Sequence, residues 1–208
     1  MTEKKHITAS CEIRDDVVYK NSKPVFTNKD QDLSGFLESI YRNLEIKYPK
    51  FHKMDRLCGL GFLATEILLK GVFRKERYRP DEIAVVFANS SASLDTDIRY
   101  QESLKTMASP ALFVYTLPNI MIGEICIRNN FKGENAFFVF KQFDATFMEQ
   151  YVSNLLDNGI ARACICGWVE ILREEYQVFL MLVEKEQFSQ SLLFTKKNII
   201  KTGNFGNG

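Results

Sequence analysis

Apolar and polar positions along the chain switch several times between the period of strands and the period of helices. Residues 7–26 predict a β-hairpin and a third extended stretch, read as ITASCEI, VVYKN and SKPVF. Helical spacing predicts one helix from Ser34 and a second over about 53–70. Gly59 and Gly61 inside the second helix indicate close packing against another backbone, unless they are simply tolerated there.

The middle of the chain predicts a buried strand and two helices. The strand, Ile83 to Ala88, is apolar throughout and runs into a turn of small residues. LDTDIRYQESLKTM predicts a helix capped by Asp95 or Thr96. SPALFVYTLPN predicts a loop, and NIMIGEICIRNNF predicts the helix that follows it.

The last third predicts an aromatic strand, a helix over about 144–157 that ends at Gly159, and the apolar strands ARACICGWVEI and YQVFLMLVE. The tail from about residue 186 is polar, and its GNFGNG end is expected to fray. Strands therefore alternate with helices, and the central strands are apolar on both faces. This pattern predicts an α/β layered fold with a largely parallel sheet between helices.

Length and charge restrict the classes of function. The 208 residues suffice for a substantial core, and 27 basic against 26 acidic side chains give a formal net charge of +1. This balance argues against nucleic-acid phosphates and against a membrane surface as partners. No signal peptide is visible in MTEKKHITAS, and no run approaches the roughly 18 apolar residues of a membrane span. We therefore expect a cytoplasmic protein.

Few side chains are available for catalysis or metal binding. The five cysteines are odd in number and scattered, which is not the pattern of a disulfide framework. Cys164 and Cys166 point to one face of a strand and are expected to be small buried residues rather than metal or redox ligands. Only His6 and His52 supply imidazoles. We expect neither a metal nor another cofactor.

The stretch FFVFKQFDAT, residues 137–146, joins the aromatic strand to the helix that starts near Asp144. Many α/β enzymes mount a nucleophile at such a bend, because the strand fixes the side chain and the helix N-terminus stabilises a thiolate and an oxyanion. Gln142 stands at this position. Its amide donates and accepts hydrogen bonds but cannot attack a thioester.

The residues around this bend resemble a known family. The segment from Ser109 to Glu170 is similar to the N-terminal half of β-ketoacyl synthases, in the thiolase superfamily. The family's pattern contains, in this order, a Ser-Pro loop, an Asn before a helix, a Gly-Pro, a strand, an active Cys, a helix, a Gly and a strand ending in Gly-Gly. Counting forward from Gly133 and back from Gly159 puts Gln142 at the nucleophile position. The matching residues are Ser109, Pro110, Asn119, Gly123, Gly133, Gly159 and Gly167.

The resemblance covers roughly residues 55–185 and implies a thiolase-like fold, N-terminal half only. The whole chain is then one domain, with a loop at 27–34 and a polar tail at 186–208. Gln142 departs from the family by replacing the Cys, and Glu134 by replacing the Pro. The family's second half, which carries its catalytic histidines and lysine, has no counterpart in the sequence.

Chain-length factors of bacterial type II polyketide systems resemble ketosynthases but carry Gln in place of the Cys. They work as partners in a heterodimer. The sequence looks most like a short version of such a subunit, particularly those near aryl-polyene or flexirubin-type pigment clusters.

The resemblance also implies roles for aromatic residues. The strand Ala136–Lys141 would pair with its counterpart across a dimer axis, with a purely intramolecular core strand as the alternative. The loop with Phe113 and Tyr115 would lie near the partner's acyl pocket, unless those rings only pack the loop. For Phe147 and Met148, core packing is the favoured alternative. The residues implied for the acyl pocket or interface are Phe113, Tyr115, Phe137, Phe138, Val139, Phe140, Phe147 and Met148.

We therefore expect a non-catalytic, chain-length-factor-like subunit that pairs with a full-length ketosynthase in fatty-acid or polyketide-type biosynthesis and meets acyl carrier protein indirectly. A homodimer that binds acyl chains or carrier protein is one alternative. A thioester-processing enzyme with a reactive Cys or Ser is another. Gln142 as an ordinary turn residue also stays open.

Overall fold

The computed structural model describes residues 4–29, 31–185 and 191–203. The strands are β1 (His6–Arg14), β2 (Val17–Lys20), β3 (Lys23–Thr27), β4 (Ile83–Asn89), β5 (Asn135–Val139), β6 (Ala163–Leu172), β7 (Glu175–Glu184) and β8 (Leu192–Leu193). The helices are α1 (Leu33–Asn43), α2 (Arg56–Leu69), α3 (Leu94–Ser103), α4 (Pro110–Val114), α5 (Asn119–Asn129), α6 (Ala145–Asp157) and α7 (Lys196–Thr202). The predicted hairpin, helices and apolar strands are confirmed.

Aspartate side chains start three of the helices. The carboxylates of Asp32, Asp55 and Asp144 accept hydrogen bonds from the backbone N–H groups three residues later, at 2.8, 2.9 and 2.9 Å. Each satisfies a donor that has no partner inside the helix. Gly159 follows the end of α6 with φ of +69°, as expected of a C′ residue.

One mixed sheet organises the molecule, in the order β3-β2-β1-β7-β6-β4-β5, with β8 paired to β1. Only β4–β5 and β4–β6 are parallel pairs, and the other pairs are antiparallel. The prediction of a largely parallel sheet is therefore corrected to a mixed one. The physical reason is the two-residue turn at Arg173 and Glu174, because strands joined so tightly must be antiparallel.

Helices cover both faces of the sheet, as predicted. The first core layer contains buried side chains of α1, α2 and α5, and the second contains side chains of α6 and α7. Cys164 and Cys166 are buried together in the second layer, as period two requires. Gly61 allows close packing of α2 on α5, since a Cβ there would lie 2.0 Å from the sulfur of Met121. The close packing predicted at this glycine is therefore against the side chain of Met121 and not against another backbone.

Several local predictions need correction. Ser93, not Asp95 or Thr96, precedes α3, which begins one residue earlier than the predicted caps. The stretch predicted as a loop contains α4, because Ser109 caps Leu112 N at 3.3 Å and Pro110 is tolerated at the first helical position. β5 ends at Val139, two residues before Lys141.

The polar tail contains ordered structure where the structure describes it. Strand β8 and helix α7 lie there, and Phe194 and Ile199 are buried against the second core layer. The predicted fraying of GNFGNG falls, after Gly203, outside the described residues.

Candidate functional site

The carboxyl ends of β4 and β5 form the edge at which the sequence predicts a site. The two strands are parallel, and Asn89 lies opposite Val139 in the register. The N–H of Phe140 donates to Asn89 O at 2.9 Å, which extends the pairing by one residue. The chain then turns into α3 after β4 and into α6 after β5, so that these two turns lie side by side. Ligands of α/β sheets bind at such carboxyl ends.

Gln142 lies in the bend between β5 and α6, where the sequence placed it. The side chain is exposed and stands two residues before Asp144, the residue that caps α6. None of the described residues forms a hydrogen bond with its amide. Both hydrogen-bonding functions of the amide are therefore free to meet another molecule.

The neighbouring turn after β4 is held by side chains. The buried amide of Asn89 accepts from Ala92 N and donates to Ala92 O, both at 2.8 Å. The N–H and hydroxyl of Ser90 donate to one oxygen of Glu170, at 2.5 and 2.6 Å. Ser93 donates to Thr116 O at 2.8 Å, which ties this turn to the segment after α4. The serines thus act as turn residues, which was the favoured interpretation of the sequence.

Four half-buried aromatic rings cluster between β5 and the start of α6. The ring of Phe138 lies 4.8 Å from Phe147 and 5.0 Å from Tyr151, in edge-to-face geometry. Phe140 stacks on Phe138 at 5.8 Å and meets Phe147 edge-on at 4.8 Å. The cluster fixes the direction in which the chain leaves β5 and therefore positions Gln142.

β5 is the last strand of the sheet, and pairing along its outer edge is absent among the described residues. Val139 at its end is 54% exposed, whereas Phe137 packs on the first core layer. On α5, which contacts β5, Ile127 is 66% exposed and Gly123 lies one turn before it. We call the outer backbone of β5 with Val139, Gly123 and Ile127 the β5 edge surface. Such an uncovered edge is a template for another strand.

A second apolar surface surrounds α4. Phe113 is 61% exposed, with its ring 5.5 Å from that of Tyr100. The other exposed apolar side chains nearby belong to α3, α4 and their connections. We call this set the α4 patch: Leu104, Met107, Phe113, Val114 and Leu117. An exposed apolar patch of this kind is typical of an interaction site.

Two of the predicted site residues are core residues. Tyr115 is buried in the first core layer, where burial raises the pKa of its phenol. Met148 is buried beneath α6 in the second layer. For both residues, burial supports a role in core packing rather than in an acyl pocket or interface. Phe113, Val139 and Gln142, by contrast, are exposed.

A buried polar network behind the site was missed by sequence reasoning. Arg56 donates to Asp95 at 2.7 Å and to Glu174 at 2.7 Å, and the N–H of Arg173 donates to Asp95 at 2.9 Å. Asp55 accepts a short hydrogen bond from Thr96. The network joins α2, α3 and the β6–β7 turn. The sequence offers only the helix-cap position of Asp55 as a local signal, because the other partners are far apart along the chain.

The described thiols are poorly suited to covalent catalysis. Burial raises the pKa of Cys126 to about 11 and that of Cys11 to about 12. It also raises the pKa of Cys58 and Cys164 well above the ordinary value. Since the thiolate is the nucleophile, these four side chains are inert at neutral pH.

The two imidazoles lie away from Gln142. His6 is buried in β1 opposite Glu184, and three strands separate β1 from β5. At a strand spacing of about 4.8 Å, this is roughly 19 Å. His52 pairs with Glu38 at 3.4 Å beside α1. Neither can serve a group at the β5–α6 bend.

Among the residues that the structure describes, no group of three or more His, Cys, Asp or Glu side chains could hold a metal ion. Within that same part of the chain, no helix has the length and apolar character needed to cross a membrane.

Comparisons with known proteins identify the fold. No protein-family model and no curated protein sequence matches the chain. Among solved structures, the ishigamide ketosynthase/chain length factor matches at 17% identity and a TM-score of 0.64, over 90% of this chain and 63% of that chain. A type II PKS acyl-carrier protein in complex with its ketosynthase bound to the hexaketide matches at 14% identity and a TM-score of 0.59, over 88% and 63%.

A third solved structure matches over nearly the whole length of both chains. The ketosynthase ApeO in complex with its chain length factor ApeC, from Xenorhabdus doucetiae, matches at 12% identity and a TM-score of 0.58. That match covers 98% of this chain and 92% of that chain, whereas this chain spans 63% of the matched chain in the two other structures. The predicted thiolase-like α/β fold of ketosynthases is confirmed.

Proposed function

We propose that this chain is a non-catalytic, chain-length-factor-like subunit that pairs with a ketosynthase in fatty-acid or polyketide-type biosynthesis. The observation that carries the proposal is Gln142 at the strand-to-helix bend of a ketosynthase fold. An amide at that position forms no acyl-enzyme intermediate. Two solved structures with this fold contain a ketosynthase with a chain length factor, and one of them matches nearly the whole extent of this chain.

The remaining chemistry of the chain agrees with a non-catalytic role. Four thiols, three of them buried and one half-buried, have a pKa raised by burial, and both histidines lie away from Gln142. A general base and an activated nucleophile must lie within hydrogen-bond reach of each other. This separation argues against the alternative of a thioester-processing enzyme.

The β5 edge surface supports a partner subunit. An unpaired strand edge with an exposed apolar end is stabilised when a second strand covers it. Gly123 adds to this surface because a Cβ there would meet no atom within 4 Å, so the backbone of α5 is open to close approach. Strand pairing across this edge would extend the sheet into a ketosynthase partner.

The α4 patch is the proposed contact with the partner's acyl pocket. Phe113 is exposed on a short helix that Ser93 ties to the turn beside Gln142. A rigid ring that reaches the end of a partner's pocket would limit the length of the acyl chain through its bulk. Tyr115, which is buried in the core, is not part of this proposed contact.

An elongation assay tests the proposed role. A candidate partner ketosynthase of full length is incubated with malonyl-loaded carrier protein, with and without this chain, and the acyl products are measured by mass spectrometry. We expect elongation to require the chain and Phe113→Ala to lengthen the products by at least one extension unit. The control Ile160→Ala truncates an exposed apolar side chain outside the α4 patch and should leave product length unchanged. Identical products with and without the chain would refute the proposal.

A further inference from the structure

A cavity of about 350 Å³ lies between the β2–β3 hairpin and the C-terminal ends of α1 and α2. Its volume is within the roughly 300–1,000 Å³ of ligand pockets. None of its lining residues belongs to β4, β5 or the helices around Gln142. The lining is apolar except for two lysines and an asparagine: Val18, Lys20, Val25, Phe26, Ile40, Asn43, Leu44, Ile67 and Lys70.

Lys20 places a cation at the polar end of this cavity. Its ammonium donates to Ile67 O at 2.7 Å and, through a short hydrogen bond, to Lys70 O. An ammonium has three donors, so one N–H of Lys20 remains for another acceptor. The described carboxylates form no ion pair with Lys20. Burial lowers the pKa of Lys20, the nearby thiol of Cys11 offsets part of that shift, and the charge of Lys70 lowers the pKa further.

The surroundings of Lys70 are also net cationic. The cavity adjoins a cleft of about 640 Å³, with which it shares Leu44 and Lys70. Four cationic and two anionic side chains line the cleft, and one of the anions, Glu66, is bound to Arg128 at 3.2 Å. The carbonyl groups at the C-terminal end of α2 carry a partial negative charge that would repel an anion. Lys20 offsets this partial charge through its two hydrogen bonds. The two lysines therefore favour an anionic group at this end.

We propose that the cavity binds an anionic amphiphile, with an unbranched aliphatic tail against Val25, Phe26 and Leu44 and a carboxylate or phosphate head at Lys20 and Lys70. Apolar burial supplies the affinity for the tail, and charge-assisted hydrogen bonds select the head. This site is separate from the β5 edge surface and from the proposed partner role, and either can hold without the other. The head group can belong to a free fatty acid, an alkyl phosphate or a membrane lipid.

Displacement of a fluorescent medium-chain fatty acid from the full chain tests the site. Dodecanoate and dodecyl phosphate should displace the probe at one site per chain, while dodecanol should be roughly tenfold weaker and dodecyltrimethylammonium inactive. Phosphatidylglycerol vesicles form a separate arm. Vesicle binding without displacement by either free anion, or equal displacement by dodecanol, would overturn the proposal.

Three variants locate the bound molecule. Lys70→Gln changes an exposed side chain and should weaken dodecanoate roughly three- to tenfold. Val25→Trp fills the mouth of the cavity, where Val25 is 53% exposed, and should abolish binding of all the amphiphiles. The control Lys23→Gln removes an exposed charge of the same hairpin outside the cavity and should have no effect. Equal weakening by Lys23→Gln and Lys70→Gln would contradict a defined site.

Discussion

Gln142 lies exposed at the start of α6, at the bend where a ketosynthase-like fold is expected to carry a thiol. If the bend keeps the geometry of a nucleophile site, a thiol introduced there will be activated by the helix N-terminus. We expect Gln142→Cys to gain an acyl adduct from an acyl thioester at least about fivefold faster than Gln150→Cys, which exposes a thiol in the middle of α6. Intact-mass spectrometry follows the adduct.

The unmodified chain serves as the reference in that experiment. Four of its five cysteines have a pKa raised by burial and the fifth, Cys166, is buried, so the unmodified chain should give no adduct in the same time. An adduct on the unmodified chain would favour the enzyme alternative, and equal rates for the two introduced thiols would show that the bend has no special geometry.

Asp55 gives the protein a pH dependence that can be assigned to one residue. Burial raises the pKa of Asp55 above its ordinary value of 3.8, and the hydrogen bonds from Thr96 and Cys58 N offset part of the shift. The folded protein therefore keeps this proton to higher pH than the unfolded chain. The contribution of Asp55 to the free energy of unfolding increases as the pH falls through the folded-state pKa and levels off below about 3.8.

We therefore expect the wild type to gain stability relative to Asp55→Asn as the pH falls from 7 to 4. The asparagine keeps a capping acceptor for Cys58 N, so the change mainly removes the titration. Urea unfolding at several pH values measures the difference. Asp144→Asn, the same change at an exposed cap of α6, is the control. A difference between wild type and Asp55→Asn that is constant with pH would contradict the assignment.

At the scale of elements, β5 is the strand through which the sheet would continue into a partner. Val139→Lys places a charge at the end of that strand, where the side chain is 54% exposed. We expect the free energy of unfolding of the lone chain to change by less than about 0.5 kcal/mol, because exposed positions tolerate substitution. Ketosynthase binding should weaken by at least about tenfold, because the charge would be desolvated in the interface.

Ile160→Lys is the matched control for this test, since Ile160 is 48% exposed after α6 and lies outside the β5 edge surface. Surface plasmon resonance with the ketosynthase immobilised measures both variants. Unchanged binding by Val139→Lys would show that the partner does not use this edge.

Elements were predictable where the signal is local. The apolar run of β4, the helical spacing in α2 and the glycine after α6 each depend on neighbouring residues, and the structure contains them as predicted. The short helix α4 also had local signals, in Ser109 as cap and Pro110 at the first helical position. It was missed because five residues are too few for a helical period to be visible.

The arrangement of strands depends on distant residues and was harder to predict. The two-residue connection between β6 and β7 predicts a hairpin, and overlooking it led to the expectation of a largely parallel sheet. The insertion of β7 between β1 and β6 has no local signal. Gly167, by contrast, was singled out by resemblance alone. The structure gives its physical reason: a Cβ there would lie 2.0 Å from Phe179 O.

In the candidate site, too, features with a local signal could be predicted, and features that depend on distant residues could not. The position of Gln142 follows from one strand and one helix that are adjacent in sequence, and it could be predicted. The separation of Tyr115 from Phe113, one buried and one exposed, depends on how the chain after α4 packs into the first core layer. The Arg56 network joins residues up to 118 positions apart, and pairing of that kind leaves no periodic signal.

At the scale of the whole molecule, helices cover both faces of the sheet, and the uncovered apolar surface lies at the β5 edge and around α4. A lone chain therefore has a complete core but two exposed surfaces that are suited to a partner. This distribution predicts a chain that folds alone and associates through its edge, rather than one whose core needs a second subunit to form.

The mass of the complex formed on co-expression tests this account most directly. The chain and a candidate partner ketosynthase of full length are purified through a tag on the ketosynthase and measured by light scattering during gel filtration. We expect one species whose mass is that of one ketosynthase plus 24.0 kDa. A ketosynthase that elutes without this chain, while the chain itself elutes as a monomer or homodimer, would contradict the account.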